Sequence, residues 1–156
     1  MKALVIYDSV FGNTEKVARA IGAALDPAGG APVLSVKDVT PEQLNDLEVL
    51  FVGSPTRGFR PTPAITAFLD SLPAGALKGV KAAAFDTRIP LETIKSPIFR
   101  FIVSRGGYAD KPIATALVRL GAEQPVPSAG FIVLESEGPL REGELERAEM
   151  WVKNIV

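Results

Sequence analysis

Residues 3–22 read ALVIYDSVFGNTEKVARAIG, and this stretch decides the fold. It begins with an unbroken apolar run at Ala3–Tyr7, as expected for a strand that is buried on both faces of a parallel sheet. A polar loop, Asp8–Thr14, follows at once. Beyond it, apolar residues recur at helical spacing: Val17, Ala18, Ile21, Ala24 and Leu25. The stretch therefore predicts a strand, a short loop and a helix in direct succession.

The same alternation of strands and helices continues along the chain. Further strands are predicted at Pro32–Val36, Glu48–Gly53, Val80–Phe85 and Ala129–Leu134. Helices are predicted to start at Thr40, Thr62, Asp110 and Glu142, the last of them reaching Val156. Strict alternation favours an α/β fold, with a parallel sheet and helices on both faces. Right-handed crossovers leave few topologies, and one is the five-stranded order 2-1-3-4-5 with its ligand crevice at the ends of strands 1 and 3.

Composition limits the kinds of chemistry. The 156 residues, 47% of them apolar, suit a single domain over residues 1–156. The absence of cysteine and histidine excludes disulfides, a cysteine nucleophile, a serine–histidine triad and the usual thiolate and histidine metal sites. Any redox chemistry is therefore expected from a cofactor. No apolar run approaches the roughly 20 residues that span a bilayer, and no signal-peptide core is visible, so we expect a cytoplasmic protein without membrane contact.

The charge is balanced overall and uneven along the chain. The net charge is −1, yet the segment from Arg57 to Lys111 contains nine basic and four acidic residues. This segment forms either an ordinary solvated surface or a positive rim that attracts an anionic ligand or partner. Nucleic-acid binding is not expected, because no basic cluster is interleaved with aromatic residues.

The loop Asp8–Thr14 has the features of an anion site. A helix start offers unpaired N–H groups and the positive end of the helix dipole, and Gly12 allows the backbone to approach a ligand closely. Ser9, Asn13 and Thr14 add side-chain donors. The P-loop and dinucleotide patterns are absent, which favours a single phosphate over a triphosphate or pyrophosphate. The alternative is an ordinary turn in which Asn13 or Thr14 caps the helix.

This loop resembles a known family. Ser9-Val10-Phe11-Gly12-Asn13-Thr14 is similar to the phosphate loop of the flavodoxins, Thr/Ser-x-Thr-Gly-x-Thr, which also follows the first strand. Phe11 departs from that pattern by standing where the family has threonine, so one hydroxyl contact is missing unless Asn13 offsets it. The resemblance implies the doubly wound order 2-1-3-4-5 in three layers. It also implies that these six residues hold the phosphate of non-covalent flavin mononucleotide (FMN).

A second loop, after the strand Glu48–Gly53, also looks like the flavodoxins. Its Gly-Ser-Pro-Thr, residues 53–56, is similar to the family's second flavin loop. The resemblance implies that the ring of the flavin is contacted by Pro55, Thr56, Arg57, Gly58 and Phe59. Gly58 is the candidate for a peptide that faces the reactive nitrogen, since glycine changes conformation at little cost. Phe59 either stacks on the ring or is an ordinary half-buried aromatic, and Arg57 and Arg60 either neutralise the cofactor or face solvent.

By the same resemblance, a third loop begins after the strand Val80–Phe85. Asp86, Thr87 and Arg88 are the candidates for contacts to the pyrimidine edge of the flavin. The following segment, Ile89–Ala109, is longer and more apolar than in many small flavodoxins. We expect an extra short helix from Ser96-Pro97 that packs on the domain. The alternative is a lid or an apolar platform for a substrate or a dimer partner.

The resemblance implies an FMN-binding electron-transfer protein that cycles its flavin between redox states. It would dock transiently on redox partner proteins, as a monomer or a weak dimer. The nearly neutral charge counts against a carrier, because carrier flavodoxins are usually strongly acidic. The first alternative is a flavin-dependent oxidoreductase that acts on a quinone, porphyrin or similar planar substrate. The second is a binding module that has lost its flavin.

Overall fold

The computed structural model describes residues 2–26, 30–90, 96–98, 100–101 and 107–155. Its strands are β1 (Ala3–Tyr7), β2 (Val33–Ser35), β3 (Val49–Pro55), β4 (Lys81–Arg88) and β5 (Ala129–Ile132). The α-helices used below are α1 (Asn13–Leu25), α2 (Pro63–Ser71), α3 (Asp110–Arg119) and α4 (Glu144–Lys153). Two short 3-10 helices, Val36–Asp38 and Pro41–Leu44, precede β3.

The five strands form one parallel sheet in the order β2-β1-β3-β4-β5. This confirms the order predicted from the sequence. The chain adds β2 on one side of β1 and then returns to add β3 on the other side. The strand order therefore reverses at β1 and β3, and a crevice between the two following loops is expected at their carboxyl ends.

Each face of the sheet has its own apolar core. Leu4, Ile6 and Leu50 belong to the core beneath α2 and α3. Val5 and Phe51 belong to the core beneath α1 and α4. This division follows from the alternation of side chains along a strand. Because both faces are covered, the strands give continuous apolar runs, as the sequence predicts.

Aromatic rings dominate the core beneath α4. Trp151 contacts Phe51, Phe131 and Phe85 edge-on, with ring centroids 5.3, 5.9 and 6.4 Å apart. Phe85 also lies directly over Gly53 on the neighbouring strand, where a side chain on Gly53 would overlap the ring. This packing leaves little freedom beneath the ends of β3 and β4.

Several element boundaries differ from those predicted. β4 continues to Arg88, because Asp86, Thr87 and Arg88 pair with β5 and extend the ladder. β2 ends at Ser35, whose side chain accepts a hydrogen bond from the Lys37 N–H and starts a 3-10 turn. β5 is two residues shorter than predicted, and Val133 instead forms an isolated bridge with Leu140.

The last helix also starts later than its apolar pattern predicts. Gly143, with φ of 88°, precedes α4, which runs from Glu144 to Lys153 rather than from Glu142 to Val156.

Among the described residues, no helix combines the length and apolarity needed to cross a membrane.

Candidate functional site

An open cleft lies at the carboxyl edge of the sheet, where β1, β3 and β4 end. Ten of the residues proposed from the sequence line it: Ser9, Val10, Phe11, Asn13, Thr14, Pro55, Thr56, Arg57, Thr87 and Arg88. The three separate loops therefore converge at one place. Three lining residues were not predicted: Ile89, Val133 and Ser136. The last two follow β5, whose loop is expected at the same edge of the sheet, but no motif marks them as site residues.

Four predicted residues lie outside the lining of the cleft. Gly12 supplies backbone at the start of α1, and Gly58 and Phe59 form the tip of a turn at the edge of the cleft. Asp86 has no exposed surface and lies behind Arg88. Asp86 therefore acts in the site by holding the side chain of Arg88.

α1 begins at the cleft without a side-chain cap. Gly12 is the residue before the helix, with φ of 94° and ψ of −7°. The expected alternative, in which Asn13 or Thr14 caps the helix, is wrong, because the helix already includes both residues. The Gly12 N–H donates to Ser9 Oγ at 3.0 Å, which folds the loop tightly before the helix. The first-turn N–H groups are left open to a ligand at the positive end of the helix dipole.

The side chains of Asn13 and Thr14 are anchored within the protein. The hydroxyls of Thr14 and Thr87 lie 2.8 Å apart and hydrogen bond to each other, tying α1 to β4. The Asn13 amide donates to the Glu137 carbonyl at 3.1 Å. This contact holds the amide against the loop after β5. The expectation that Asn13 offsets the missing hydroxyl at position 11 therefore lacks support from the position of its amide.

The second loop forms a tight turn, Arg57–Arg60. The Arg57 N–H donates to the Arg60 carbonyl at 2.8 Å, and the Arg60 N–H donates to the Arg57 carbonyl at 3.1 Å. Both central residues have positive φ, 56° for Gly58 and 70° for Phe59, which is characteristic of a type I′ turn. This backbone is easy for glycine and costs a phenylalanine on the order of 1 kcal/mol.

Arg57 connects this turn to the first loop. Its guanidinium carbon lies 5.7 Å from the centre of the Phe11 ring, within the range of a cation–π contact. Phe11 is 47% exposed. The residue that departs from the flavodoxin pattern is therefore the one that contacts the arginine at the mouth of the cleft.

Arg88 lies in a fixed socket on the other wall. Its Nε and Nη2 donate to the two carboxylate oxygens of Asp86, each at 2.7 Å, and Nη2 lies 3.2 Å from Asp110 Oδ1. Its guanidinium carbon lies 3.9 Å from the centre of the Tyr108 ring. Gly130 leaves room for the group, since a Cβ there would lie less than 3.0 Å from it. Such contacts restrain both the plane and the edges of the guanidinium.

Burial and ion pairing shift the pKa values of Asp86 and Arg88 in opposite directions. Burial raises the pKa of Asp86 to about 6, although the hydrogen bonds and charge of Arg88 oppose this rise. Burial lowers the pKa of Arg88, but the hydrogen bonds and charge of Asp86 outweigh that effect and raise it. Both groups are therefore charged at neutral pH. The Asp110 N–H also donates to Asp86 Oδ2 at 3.0 Å, which joins the start of α3 to the pair.

The segment between β4 and α3 is described in part. Residues 97, 98, 100 and 101 are helical, and the Arg100 N–H donates to the Ser96 carbonyl at 2.9 Å, as the prediction of a short helix requires. Ile98 and Phe101 are 75% and 60% exposed, so these two side chains do not provide the packing predicted for this helix. The remainder of the predicted segment, residues 91–95, 99 and 102–106, lies outside the described residues.

Comparison with known proteins agrees with this arrangement. The family model named Flavodoxin matches residues 5–131, which include all three loops. The chain belongs to the flavodoxin family. The cofactor of this family is a flavin, and its members transfer electrons. A sequence search of curated proteins finds no match.

Solved structures show the same fold. A flavodoxin from the domain Archaea is 25% identical with a TM-score of 0.78, over 99% of this chain and 96% of that protein. Flavodoxin 1 of Bacillus cereus is 18% identical with a TM-score of 0.74, over 99% and 97% of the two chains. The rubredoxin:oxygen oxidoreductase of Desulfovibrio gigas is 20% identical with a TM-score of 0.73, over 98% of this chain but 34% of that one. The fold therefore occurs both alone and as part of a larger protein.

Proposed function

We propose that this protein binds FMN non-covalently in the cleft, as a single domain over residues 1–156, and transfers electrons between transiently docked protein partners. The observation that carries the proposal is the open start of α1 in a cleft where the loops after β1, β3 and β4 converge. A cleft at this switch point is the general ligand site of doubly wound sheets.

The residues at the cleft fit a phosphate group. The described lining contains two arginines, Arg57 and Arg88, and no carboxylate. Gly12 turns the backbone in the left-handed conformation immediately before α1, so that N–H groups at the helix start converge on one point. A dianionic phosphate gains from these N–H groups and from the positive end of the α1 dipole.

The rest of the lining fits a planar, largely apolar ring. Val10, Phe11, Pro55, Ile89 and Val133 supply apolar surface to the cleft. Backbone and hydroxyl groups of Thr56 and Thr87 lie among them, and the Thr56 N–H donates to the Thr87 carbonyl at 3.0 Å. Bound FMN supplies reversible uptake of electrons, and the chain contributes binding, orientation and exclusion of water.

Absorption spectroscopy and flavin titration test this proposal. We expect the apoprotein to take up about one FMN per chain with a dissociation constant of about 1 μM or lower. Stepwise reduction of the complex under anaerobic conditions should be reversible over repeated cycles. If FMN shows no saturable binding up to about 100 μM, the electron-transfer proposal is wrong, and the flavin-free binding module becomes the better account.

Substitution of Gly12, the residue before α1, should weaken binding of the phosphate more than binding of the flavin ring. Gly12→Ala forces a side chain into left-handed backbone, at a cost of about 1–2 kcal/mol, and disturbs the N–H groups that follow. We expect FMN to bind about tenfold more weakly to this variant, while riboflavin, which lacks the phosphate, is affected less than about twofold. Equilibrium titrations with both flavins measure the two effects.

The chain offers a matched control for this variant. Gly143 precedes α4 with φ of 88° and ψ of −5°, almost the same backbone as Gly12, and both positions have open space for a Cβ. Gly143→Ala should therefore destabilise the fold by a similar amount and leave FMN affinity unchanged. Equal losses of FMN affinity in the two variants would show that α1 has no special part in binding phosphate.

One observation favours an oxidoreductase as the second candidate. Ile98 and Phe101 expose apolar surface in the segment that follows β4, the strand that ends at the cleft. A planar substrate such as a quinone would bind against such a surface. Steady-state turnover of the FMN complex with a reduced nicotinamide and a soluble quinone tests this candidate. Turnover that falls in Ile98→Ser and Phe101→Ser variants, with FMN affinity unchanged, would favour the enzyme over the carrier.

A further inference from the structure

The two arginines of the cleft differ in how their charges are compensated. Arg88 is paired with Asp86 and Asp110, at 2.7 and 3.2 Å, so two carboxylates face its positive charge. Arg57, by contrast, takes part in none of the ion pairs found among the described residues. Its guanidinium lies near the Phe11 ring instead, 5.7 Å from its centre. Among the described lining residues, Arg57 is thus the source of net positive charge.

Arg60 provides the contrast within the same turn. Arg57 and Arg60 are joined by two backbone hydrogen bonds, and both are exposed. Arg57 lines the cleft, whereas Arg60 does not. The turn therefore directs one of two chemically identical side chains to the cleft and leaves the other outside it.

A positive charge at the cleft distinguishes the redox states of a flavin. Reduction of the isoalloxazine ring by two electrons from a redox protein, with uptake of one proton from solvent, leaves the ring with one negative charge at neutral pH. The oxidised ring is neutral. A cation at the mouth of the cleft stabilises the charged product more than the neutral starting state.

We propose that Arg57 sets the redox preference of the cleft, by binding the anionic, fully reduced flavin more tightly than the oxidised flavin. This inference rests on the proposed binding of FMN. It gives the protein a higher midpoint potential than the same cleft would have without the arginine. Phe11 contributes by holding the guanidinium at the mouth of the cleft.

The test compares midpoint potentials of the FMN complexes of the wild type, Arg57→Gln, Arg57→Lys and Arg60→Gln, measured by anaerobic spectroelectrochemistry. We expect Arg57→Gln to weaken binding of reduced FMN about tenfold more than binding of oxidised FMN. That ratio lowers a two-electron midpoint potential by about 30 mV. Arg57→Lys retains the charge and should stay within about twofold of the wild type, as should Arg60→Gln.

Ionic strength sharpens the test, because salt screens an exposed charge. The difference between the wild type and Arg57→Gln should shrink when the salt concentration is raised from about 0.01 to 1 M. An unchanged midpoint potential in Arg57→Gln, or an equal shift in Arg60→Gln, would overturn the inference. Failure of FMN to bind the wild type would instead overturn the proposed function, so the two failures are distinguishable.

Discussion

Arg88→Met is expected to lower the free energy of unfolding by about 3 kcal/mol, because it leaves the carboxylate of Asp86 buried without its partner. Asp86 has no exposed surface, and its carboxylate accepts two hydrogen bonds from Arg88. Urea denaturation followed by the fluorescence of Trp151, the only tryptophan, measures the effect. Since Trp151 packs against Phe51 and Phe85, its emission should report loss of the core.

The same substitution at a surface ion pair provides the control. Arg119 lies 3.4 Å from Asp70, and the two side chains are 61% and 64% exposed. Arg119→Met should change the free energy of unfolding by less than about 0.5 kcal/mol, as is usual for exposed pairs. If Arg88→Met were no more harmful than Arg119→Met, the socket around Arg88 would not contribute to stability as described.

The loss in Arg88→Met should also depend on pH. Burial already holds the pKa of Asp86 near 6 in the folded protein, above its ordinary value of 3.8, so ionisation of Asp86 costs stability as the pH rises between those values. Removing Arg88 takes away an interaction that opposes this rise, and the pKa increases further. The difference in stability between variant and wild type should therefore be larger at pH 8 than at pH 5. A difference that is equal at the two values would contradict the assignment.

Gly53→Ala is expected to destabilise the protein by about 3 kcal/mol through a clash in the core. A Cβ at this position would come closer than 3.0 Å to three atoms of the Phe85 ring. Phe85 is completely buried and packs against Phe131 and Trp151, so a shift of its ring would disturb both neighbours. Thermal and urea denaturation measure the loss.

A second substitution shows whether the clash is the cause. Phe85→Leu removes the ring atoms that would meet the new methyl group, and by itself it leaves a cavity. In the double variant Gly53→Ala/Phe85→Leu the two losses should be clearly less than additive, by about 1 kcal/mol or more. Additive losses would mean that Gly53 is required for a reason other than the ring of Phe85.

The sequence predicts the sheet well because the signals there are local. Runs such as Ala3–Tyr7 and Val49–Val52 can be buried on both faces only in a sheet covered by helices, and those helices are amphipathic. The observed order and the family match confirm that reasoning. The predicted ends of strands are less accurate where polar residues continue a strand, as at Asp86–Arg88. The residues with which these polar residues pair lie on another part of the chain.

The position of the cleft can be predicted from the sequence, but the contacts among its side chains can be predicted much less well. Loops that follow parallel strands must meet at one edge, so Ser9, Pro55 and Thr87 were expected to lie near one another. Apart from Asp86, the residues around the Arg88 guanidinium are Tyr108, Asp110 and Gly130, which are distant in sequence and carry no motif. The Asp-x-Arg spacing at the end of β4 is a signal from which this ion pair could be predicted, because residues two apart in a strand share a face.

The departure at Phe11 has a structural meaning that the family pattern hides. A threonine there would offer a hydroxyl to phosphate, whereas the phenylalanine ring lies beside Arg57. At this position the chain therefore has a contact with a cation in place of a hydroxyl hydrogen bond donor. Such an exchange depends on two loops that are more than 40 residues apart in the sequence, and pattern matching on one loop does not reveal it.

The central claim is that the start of α1 binds the phosphate of FMN, and the most direct measurement compares FMN with riboflavin on the wild-type apoprotein. The two ligands share the isoalloxazine ring and differ in the phosphate. Our account predicts that FMN binds about a hundredfold more tightly than riboflavin, as expected for a few charge-assisted hydrogen bonds from the first turn of α1. Equal affinities for the two flavins would contradict it.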